Sequence, residues 1–274
     1  MLHAVTDWDL AYNNTANIPD GGSWPARWVE PAEAFRNRLQ AAGRARLGLS
    51  YGPKPRNLYD LFLPEGASKG LVVYVHGGFW MGLDRSYWSH LAAGPLAHGF
   101  AVAMPQYTLC PESRISGITR EIGAAITAAA GQVAGAVVLV GHSAGGHLVS
   151  RMACQDSPLD LDLRSRLAHI VSISGLHDLR PLCQTFRCEP LGLIGDEVVN
   201  ESPALQSPLD GTRLTCWVGA METSEFRRQS SLLANIWCGL GASTALVEEA
   251  DRHHYNVIDG LAEPDHPLVR CLIA

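Results

Sequence analysis

The chain has 274 residues, of which 47% are hydrophobic, and this is enough apolar material for the core of one large α/β domain. Its formal net charge of −6 disfavours nucleic acid as a partner, and no apolar run reaches the roughly 18 residues that a membrane-spanning helix needs. Seven cysteines without a C-x-x-C pair are typical of reduced thiols in the cytoplasm.

Apolar runs and helical spacing alternate along the chain. Strands are predicted at residues 58–63, 70–75, 100–104, 136–140, 170–174, 214–218 and 244–248, and helices at 33–46, 87–98, 115–130, 147–154 and 225–240. Repeated strand–helix units of this kind predict a mostly parallel sheet with helices on both faces, and the strand at 58–63 is expected at its edge. In such sheets the chemistry gathers where the strands end.

Two regions lie outside this alternation. Residues 1–50 carry three tryptophans and resemble an N-terminal cap, and residues 176–212 carry four prolines and form an irregular insertion. We expect a single domain over residues 1–274 in which either region covers the site. The first ten residues lack the pattern of a secretory signal, so we expect a cytoplasmic protein.

The run Gly141-His142-Ser143-Ala144-Gly145 joins a predicted strand to a predicted helix. Strand, G-x-S-x-G and helix together describe a nucleophile elbow, the sharp turn that holds a serine Oγ above the end of a sheet. Glycines flank the serine because a tight turn needs residues without a Cβ. An ordinary strand-to-helix turn also explains this run, so the interpretation depends on the other parts of a catalytic site.

A second glycine loop, His76-Gly77-Gly78-Phe79-Trp80, comes directly after the apolar strand at 70–75. Such a loop supplies oxyanion-hole N–H groups in lipase- and esterase-type hydrolases. One such donor stabilises the developing negative charge by about 2.7–4 kcal/mol. We therefore assign this role to the backbone N–H groups of Gly77, Gly78 and Ala144. A plain glycine turn does not explain two such loops in this order.

A serine nucleophile needs a histidine as general base and a carboxylate that orients it, and in this fold class the acid precedes the histidine. His253 and His254 both follow the last predicted strand, in a loop that brings a histidine over the serine. Of the two, we prefer His254 as the base. Glu222, early in the loop after the preceding strand, is the preferred acid, and Asp178 is the alternative.

Several segments resemble the kynurenine formamidase (arylformamidase) group of α/β-hydrolases, which is close to the hormone-sensitive-lipase-like esterases. They comprise the two glycine loops with Gly146-His147-Leu148, residues 174–179, 218–226 and 228–230, His254-Tyr255, and the stretch from Tyr12 to Pro19. The resemblance implies an α/β-hydrolase fold with Ser143 as nucleophile, His254 as base and Glu222 at the acid position. The group usually has aspartate at the acid position, so Asp178 remains the alternative acid. Residues 106–111 also depart from the Asn-Tyr-Arg-Leu-Ala-Pro pattern common in the wider group.

Enzymes of this group hydrolyse N-formylkynurenine to kynurenine and formate, so the resemblance implies a serine hydrolase that cleaves a formamide through an acyl-enzyme. A general carboxylesterase or thioesterase with the same triad is the first alternative, and a non-catalytic binding protein with the same fold is the second. A formyl group is small and predicts a narrow acyl pocket. Phe79 and Trp80 are candidates for its wall, with core packing as the alternative for Trp80.

The expected partner is a small-molecule substrate, with neither nucleic acid nor a membrane. We expect no cofactor and no metal, because His142 and His147 are five residues apart rather than the four of a zinc-binding H-E-x-x-H helix. The oligomeric state is left open, with a homodimer as one option.

Overall fold

The computed structural model describes residues 4–274 and contains an eight-stranded sheet. The strands are β1 (Ala45–Ser50), β2 (Leu58–Phe62), β3 (Gly70–Val75), β4 (Ala101–Pro105), β5 (Ala136–His142), β6 (Leu167–Ile173), β7 (Arg213–Gly219) and β8 (Ser243–Glu249). Their order is β1-β2-β4-β3-β5-β6-β7-β8, with β2 antiparallel to both neighbours and every other pair parallel. This confirms the prediction of a mostly parallel sheet.

Helices connect the strands. The α-helices are α1 (Trp8–Ala11), α2 (Asn14–Asn17), α3 (Trp24–Ala41), α4 (Ala93–Ala97), α5 (Ile115–Ala130), α6 (Ala144–Met152), α7 (Leu161–Arg166), α8 (Asp196–Asn200), α9 (Ser224–Gly239) and α10 (Pro267–Ile273). Short 3₁₀ helices lie at Gly21–Ser23, Arg85–Ala92, Arg180–Gln184, Pro203–Leu205 and Asp259–Ala262. Within residues 4–274, no helix combines the length and apolar character needed to cross a bilayer.

Both faces of the sheet are covered by helices, as the runs of apolar residues in its central strands predict. Side chains alternate along a strand, so Leu71 and Val73 of β3 pack into one core while Val72 and Tyr74 pack into another. Helices α5, α6 and α9 contribute to the first core, and α3, α4 and α10 contribute to the second. Because β3 and β5–β8 run parallel, their carboxyl ends meet at one edge of the sheet, between the two helical layers.

The predicted edge position of the strand at 58–63 is wrong, because β1 pairs with β2 and occupies the edge. The predicted helix at 33–46 also runs too far. Helix α3 ends at Ala41, Gly43 turns the chain with a φ of +68°, and β1 follows. Burial alternates along β1, with Ala45, Leu47 and Leu49 less exposed than their neighbours, but the predicted helix overran the start of this short run.

The helix predicted at 87–98 is two elements. A 3₁₀ helix covers Arg85–Ala92, and Trp88 interrupts it with a non-helical φ of −125° before α4 begins. Trp88 is buried and its ring stacks on His76, 5.6 Å away. Packing of this indole against the second glycine loop accounts for the break in the helix.

Candidate active site

The Gly141–Gly145 run forms the predicted elbow between β5 and α6. Ser143 has a φ of +56° and a ψ of −117°, a conformation that non-glycine residues rarely adopt, and its N–H donates to the carbonyl of Ile173 in β6 at 2.8 Å. The flanking glycines allow the close approach: an ideal Cβ on Gly141 would lie 2.1 Å from the carbonyl oxygen of Gly145, and one on Gly145 would lie 1.9 Å from that of Val75. The turn thus presents Ser143 at the carboxyl edge of the sheet.

We predict that Gly145→Ala lowers the free energy of unfolding by about 3 kcal/mol, because the added methyl meets rigid backbone rather than a movable side chain. Gly239→Ala is the matched control, since a Cβ at the end of α9 meets nothing within 4 Å. Urea unfolding followed by circular dichroism measures both variants. Equal stability of the two variants would contradict the steric role of Gly145.

His254 and Glu222 form a buried pair at the same edge. The Nδ1 of His254 lies 2.6 Å from Oε2 of Glu222, and the two side chains are 3% and 0% exposed. Glu222 follows β7 and His254 follows β8, so neighbouring parallel strands carry the two groups to one place. A histidine held through Nδ1 keeps Nε2 for proton exchange.

The carboxylate of Glu222 is fixed on its other side. Its Oε1 accepts a hydrogen bond from the Ser174 hydroxyl at 2.5 Å and another from the backbone N–H of Gly219 at 2.8 Å. Two donors on one oxygen hold the carboxylate in a single orientation toward His254. Ser174 was not singled out from the sequence for this role. The available signal was its position directly after a parallel strand, where polar side chains reach the site.

His142, in the elbow, is hydrogen-bonded to the backbone of His254. Its Nε2 lies 2.8 Å from the backbone carbonyl of His254, and the rings of the two histidines are 4.6 Å apart. Burial and the adjacent His254 hold the pKa of His142 well below its usual range, so this ring stays neutral and donates its proton to the carbonyl. The ring of Phe226 lies 4.3 Å from that of His254 and packs on the same imidazole.

The other candidates lie elsewhere. Asp178 forms a two-pronged pair with Arg180, in which both nitrogen–oxygen distances are 2.9 Å. The ring of His253 packs edge-on against Trp24 at 4.9 Å, and its Nδ1 accepts from the backbone N–H of Tyr255. Among residues 4–274, Glu222 is the carboxylate that contacts the ring of His254.

The second glycine loop lies against the elbow. An ideal Cβ on Gly77 would stand 3.0 Å from the Cβ of Ser143, and Gly78 has a φ of +117°. Within the described chain, the N–H groups of Gly77, Gly78 and Ala144 donate to no backbone carbonyl. These three N–H groups are therefore free to donate hydrogen bonds to an oxygen beside Ser143.

His76 keeps the loop in this shape. Its ring stacks on Tyr107, with 4.4 Å between centroids, and the Tyr107 hydroxyl donates to the His76 carbonyl at 3.0 Å. Burial lowers the pKa of His76 to about 4, so the ring is neutral near pH 7 and adds no charge beside Gly77 and Gly78.

Phe79 and Trp80 have different surroundings. Phe79 is half-buried, whereas Trp80 is fully buried and packs edge-on against His147 with 5.0 Å between centroids. Burial of the whole indole favours core packing for Trp80, the alternative that the sequence left open, over a place in the pocket wall.

The N-terminal segment is hydrogen-bonded to residues that follow β7 and β8. The Tyr12 hydroxyl donates to Glu225 at 2.5 Å, the Thr223 hydroxyl donates to the Ala11 carbonyl at 2.8 Å, and the hydroxyls of Thr15 and Tyr255 are 2.9 Å apart. Ser143 is 2% exposed and His254 is 3% exposed. No group of three or more metal-binding side chains occurs among residues 4–274.

A family model described as BD-FAE matches residues 59–206, which include the second glycine loop and Ser143. The chain belongs to the BD-FAE family. This BD-FAE chain is similar to a kynurenine formamidase of Danio rerio, with 23% identity over 89% of this chain and 86% of that protein.

Two solved structures extend the comparison. A provisionally assigned thioesterase from Silicibacter sp. TM1040 is 47% identical, with a TM-score of 0.92 over 98% of this chain and 99% of that one. An esterase from Pyrobaculum calidifontis is 16% identical, with a TM-score of 0.63 over 91% of each chain, and shares the fold. These likenesses confirm the α/β-hydrolase fold of this BD-FAE member and its resemblance to kynurenine formamidases and esterases.

Proposed function

We propose that the protein is a serine hydrolase that cleaves an aryl formamide through an acyl-enzyme, with Ser143 as nucleophile, His254 as general base and Glu222 as the acid. The observation that carries this proposal is the 2.6 Å contact between His254 Nδ1 and Glu222 Oε2 at the edge of the sheet where the elbow presents Ser143. A serine in a strained elbow beside a histidine–carboxylate pair is the arrangement that activates an alcohol for attack on a carbonyl.

In the first half of the reaction, Ser143 Oγ attacks the formyl carbon while His254 Nε2 takes the hydroxyl proton. The N–H groups of Gly77, Gly78 and Ala144 stabilise the oxyanion, and the Glu222 carboxylate stabilises the imidazolium. The C–N bond then breaks, and His254 returns its proton to the departing arylamine. In the second half, His254 removes a proton from water, which attacks the formyl-enzyme. The bond between the formyl carbon and Ser143 Oγ then breaks, His254 returns the proton to Oγ, and formate leaves.

The comparison with known proteins supports a formamide as substrate. The likeness to the Danio rerio kynurenine formamidase extends over 89% of this chain, well beyond the two glycine loops. The hydrogen bonds of Ala11 and Thr15 across the site support a further proposal, that the N-terminal segment is the cap that closes it.

The second candidate is a thioesterase or carboxylesterase with the same residues and the same two steps. The 47% identity to the Silicibacter protein, provisionally assigned as a thioesterase, favours it. An ester or thioester differs in its leaving group, which needs less help from the protonated His254 than an amine does.

The deciding experiment compares kcat/KM on N-formylkynurenine with that on 4-nitrophenyl acetate and an acetyl thioester, with Ser143→Ala as the blank. We expect the formamide to be preferred by at least about tenfold, corresponding to about 1.4 kcal/mol of transition-state stabilisation. Turnover of the esters with negligible formamide cleavage would replace the proposal by the second candidate. Inertness toward all three and toward a serine-directed phosphonate would indicate a non-catalytic binding protein.

A further inference from the structure

Arg187 places a positive charge at the rim of the candidate active site. It lies in the irregular region between β6 and β7, and its guanidinium carbon is 4.4 Å from the ring centroid of Phe79 and 4.4 Å from that of Phe186. Phe79 directly follows Gly78 in the second glycine loop, whose neighbour Gly77 lies against Ser143. The guanidinium thus borders the loop beside the candidate nucleophile.

The guanidinium of Arg187 has no acceptor among the described residues. No hydrogen bond or ion pair in residues 4–274 reaches it, and its Nη1 is buried without a partner. Other inward-facing arginines are paired: Arg151 with Asp156, Arg228 with Glu225, and Arg85 with Asp60. Burying an N–H donor of a charged group without an acceptor is unfavourable, so this position fits a residue whose acceptor arrives with a ligand.

The charges around Arg187 indicate what that acceptor is. Burial lowers the pKa of Arg187, while the charges of Asp9 and Tyr255 raise it. Asp9 Oδ1 already accepts the backbone N–H of Phe186 at 2.9 Å. A single guanidinium beside a carboxylate favours a ligand with one negative charge over a phosphate dianion.

We propose that Arg187 binds a carboxylate on the leaving-group side of the substrate, so that the enzyme selects aryl formamides that carry an acid group. The inference rests on the proposed function and specifies its substrate class. Phe79 and Phe186 provide apolar contact for an aromatic ring, and a guanidinium held over such rings keeps its in-plane N–H groups for a bidentate carboxylate.

The test compares kcat/KM on N-formylkynurenine with that on its carboxamide, which differs in having no negative charge. We expect the wild type to prefer the acid by about 10- to 100-fold, the range of a charge-assisted hydrogen bond, and the preference to fall to about onefold in Arg187→Gln. Arg187→Lys keeps the positive charge but lacks the planar pair of N–H donors, so we expect it to retain part of the preference for the acid. Arg38→Gln is the matched control, because Arg38 also lies over a phenylalanine ring, Phe35, but in the last turn of helix α3. An unchanged preference in Arg187→Gln would overturn the proposal.

A second measurement needs no turnover. Kynurenine and its carboxamide are compared for how well each protects Ser143 from labelling by a serine-directed phosphonate. If no formamide is cleaved, the proposed function fails, but stronger protection by the acid that is lost in Arg187→Gln still supports the anion site. If Arg187→Gln does not fold, the comparison in the wild type decides, and equal protection by acid and carboxamide rejects the proposal.

Discussion

Replacing Ser143 by alanine is expected to lower kcat on the preferred substrate by about 10⁴- to 10⁶-fold, because the acyl-enzyme cannot form without the Oγ. The free energy of unfolding is expected to stay within about 1 kcal/mol of the wild-type value, since the substitution removes one buried hydroxyl and leaves the elbow glycines in place. Stopped assays at high enzyme concentration measure the residual rate, and urea unfolding measures the stability.

Ser150→Ala is the matched control, because Ser150 is also a buried serine of the region and its Oγ donates to a helix carbonyl of Gly146. It tests whether loss of any buried hydroxyl here reduces the rate. A Ser143→Ala enzyme that kept more than a tenth of the wild-type rate would show that another group attacks the substrate.

Glu222→Gln is expected to reduce kcat by about 10³- to 10⁴-fold with a small change in KM, since the amide cannot stabilise the imidazolium and turns an N–H donor toward His254 Nδ1. The Ser174 hydroxyl and the Gly219 N–H keep their acceptor on the remaining oxygen, so the fold is retained. The pH profile of kcat, measured with single-turnover controls, tests whether the base has changed.

The rival acid provides the control for this prediction. Asp178→Asn is expected to change kcat by less than about tenfold, because Asp178 pairs with Arg180 rather than with His254. A larger loss of kcat in Asp178→Asn than in Glu222→Gln would show that Glu222 is not the acid.

The parts of the site that were predictable from sequence are those encoded by adjacent residues. The elbow needs glycines two residues on either side of Ser143, and the second loop needs Gly77 and Gly78 directly after an apolar strand. Glu222 and His254 required a different argument, from the order of strands along the chain. Because parallel strands end at one edge, residues that follow β7 and β8 meet there.

The remaining features depend on contacts that no local pattern records. The hydrogen bond between His142 and the carbonyl of His254 joins residues 112 positions apart. Strand β1 is a short run whose alternation continues directly from the helical spacing of α3, and its pairing with β2 is what defines it. Arg187 has no motif of its own: its significance comes from Phe79, more than one hundred residues earlier in the chain.

The N-terminal segment proposed as the cap contacts residues more than 200 positions later in the sequence, and this has a consequence for synthesis on the ribosome. Thr15 meets Tyr255 across 240 residues and Tyr12 meets Glu225 across 213. At about 5–20 residues per second, the N-terminal segment waits roughly 10–50 s before its partners have been made. Nascent chains that stop before Glu225 therefore expose the aromatic rings of that segment, and hydrolytic activity arises only after the loop with His254 has been translated.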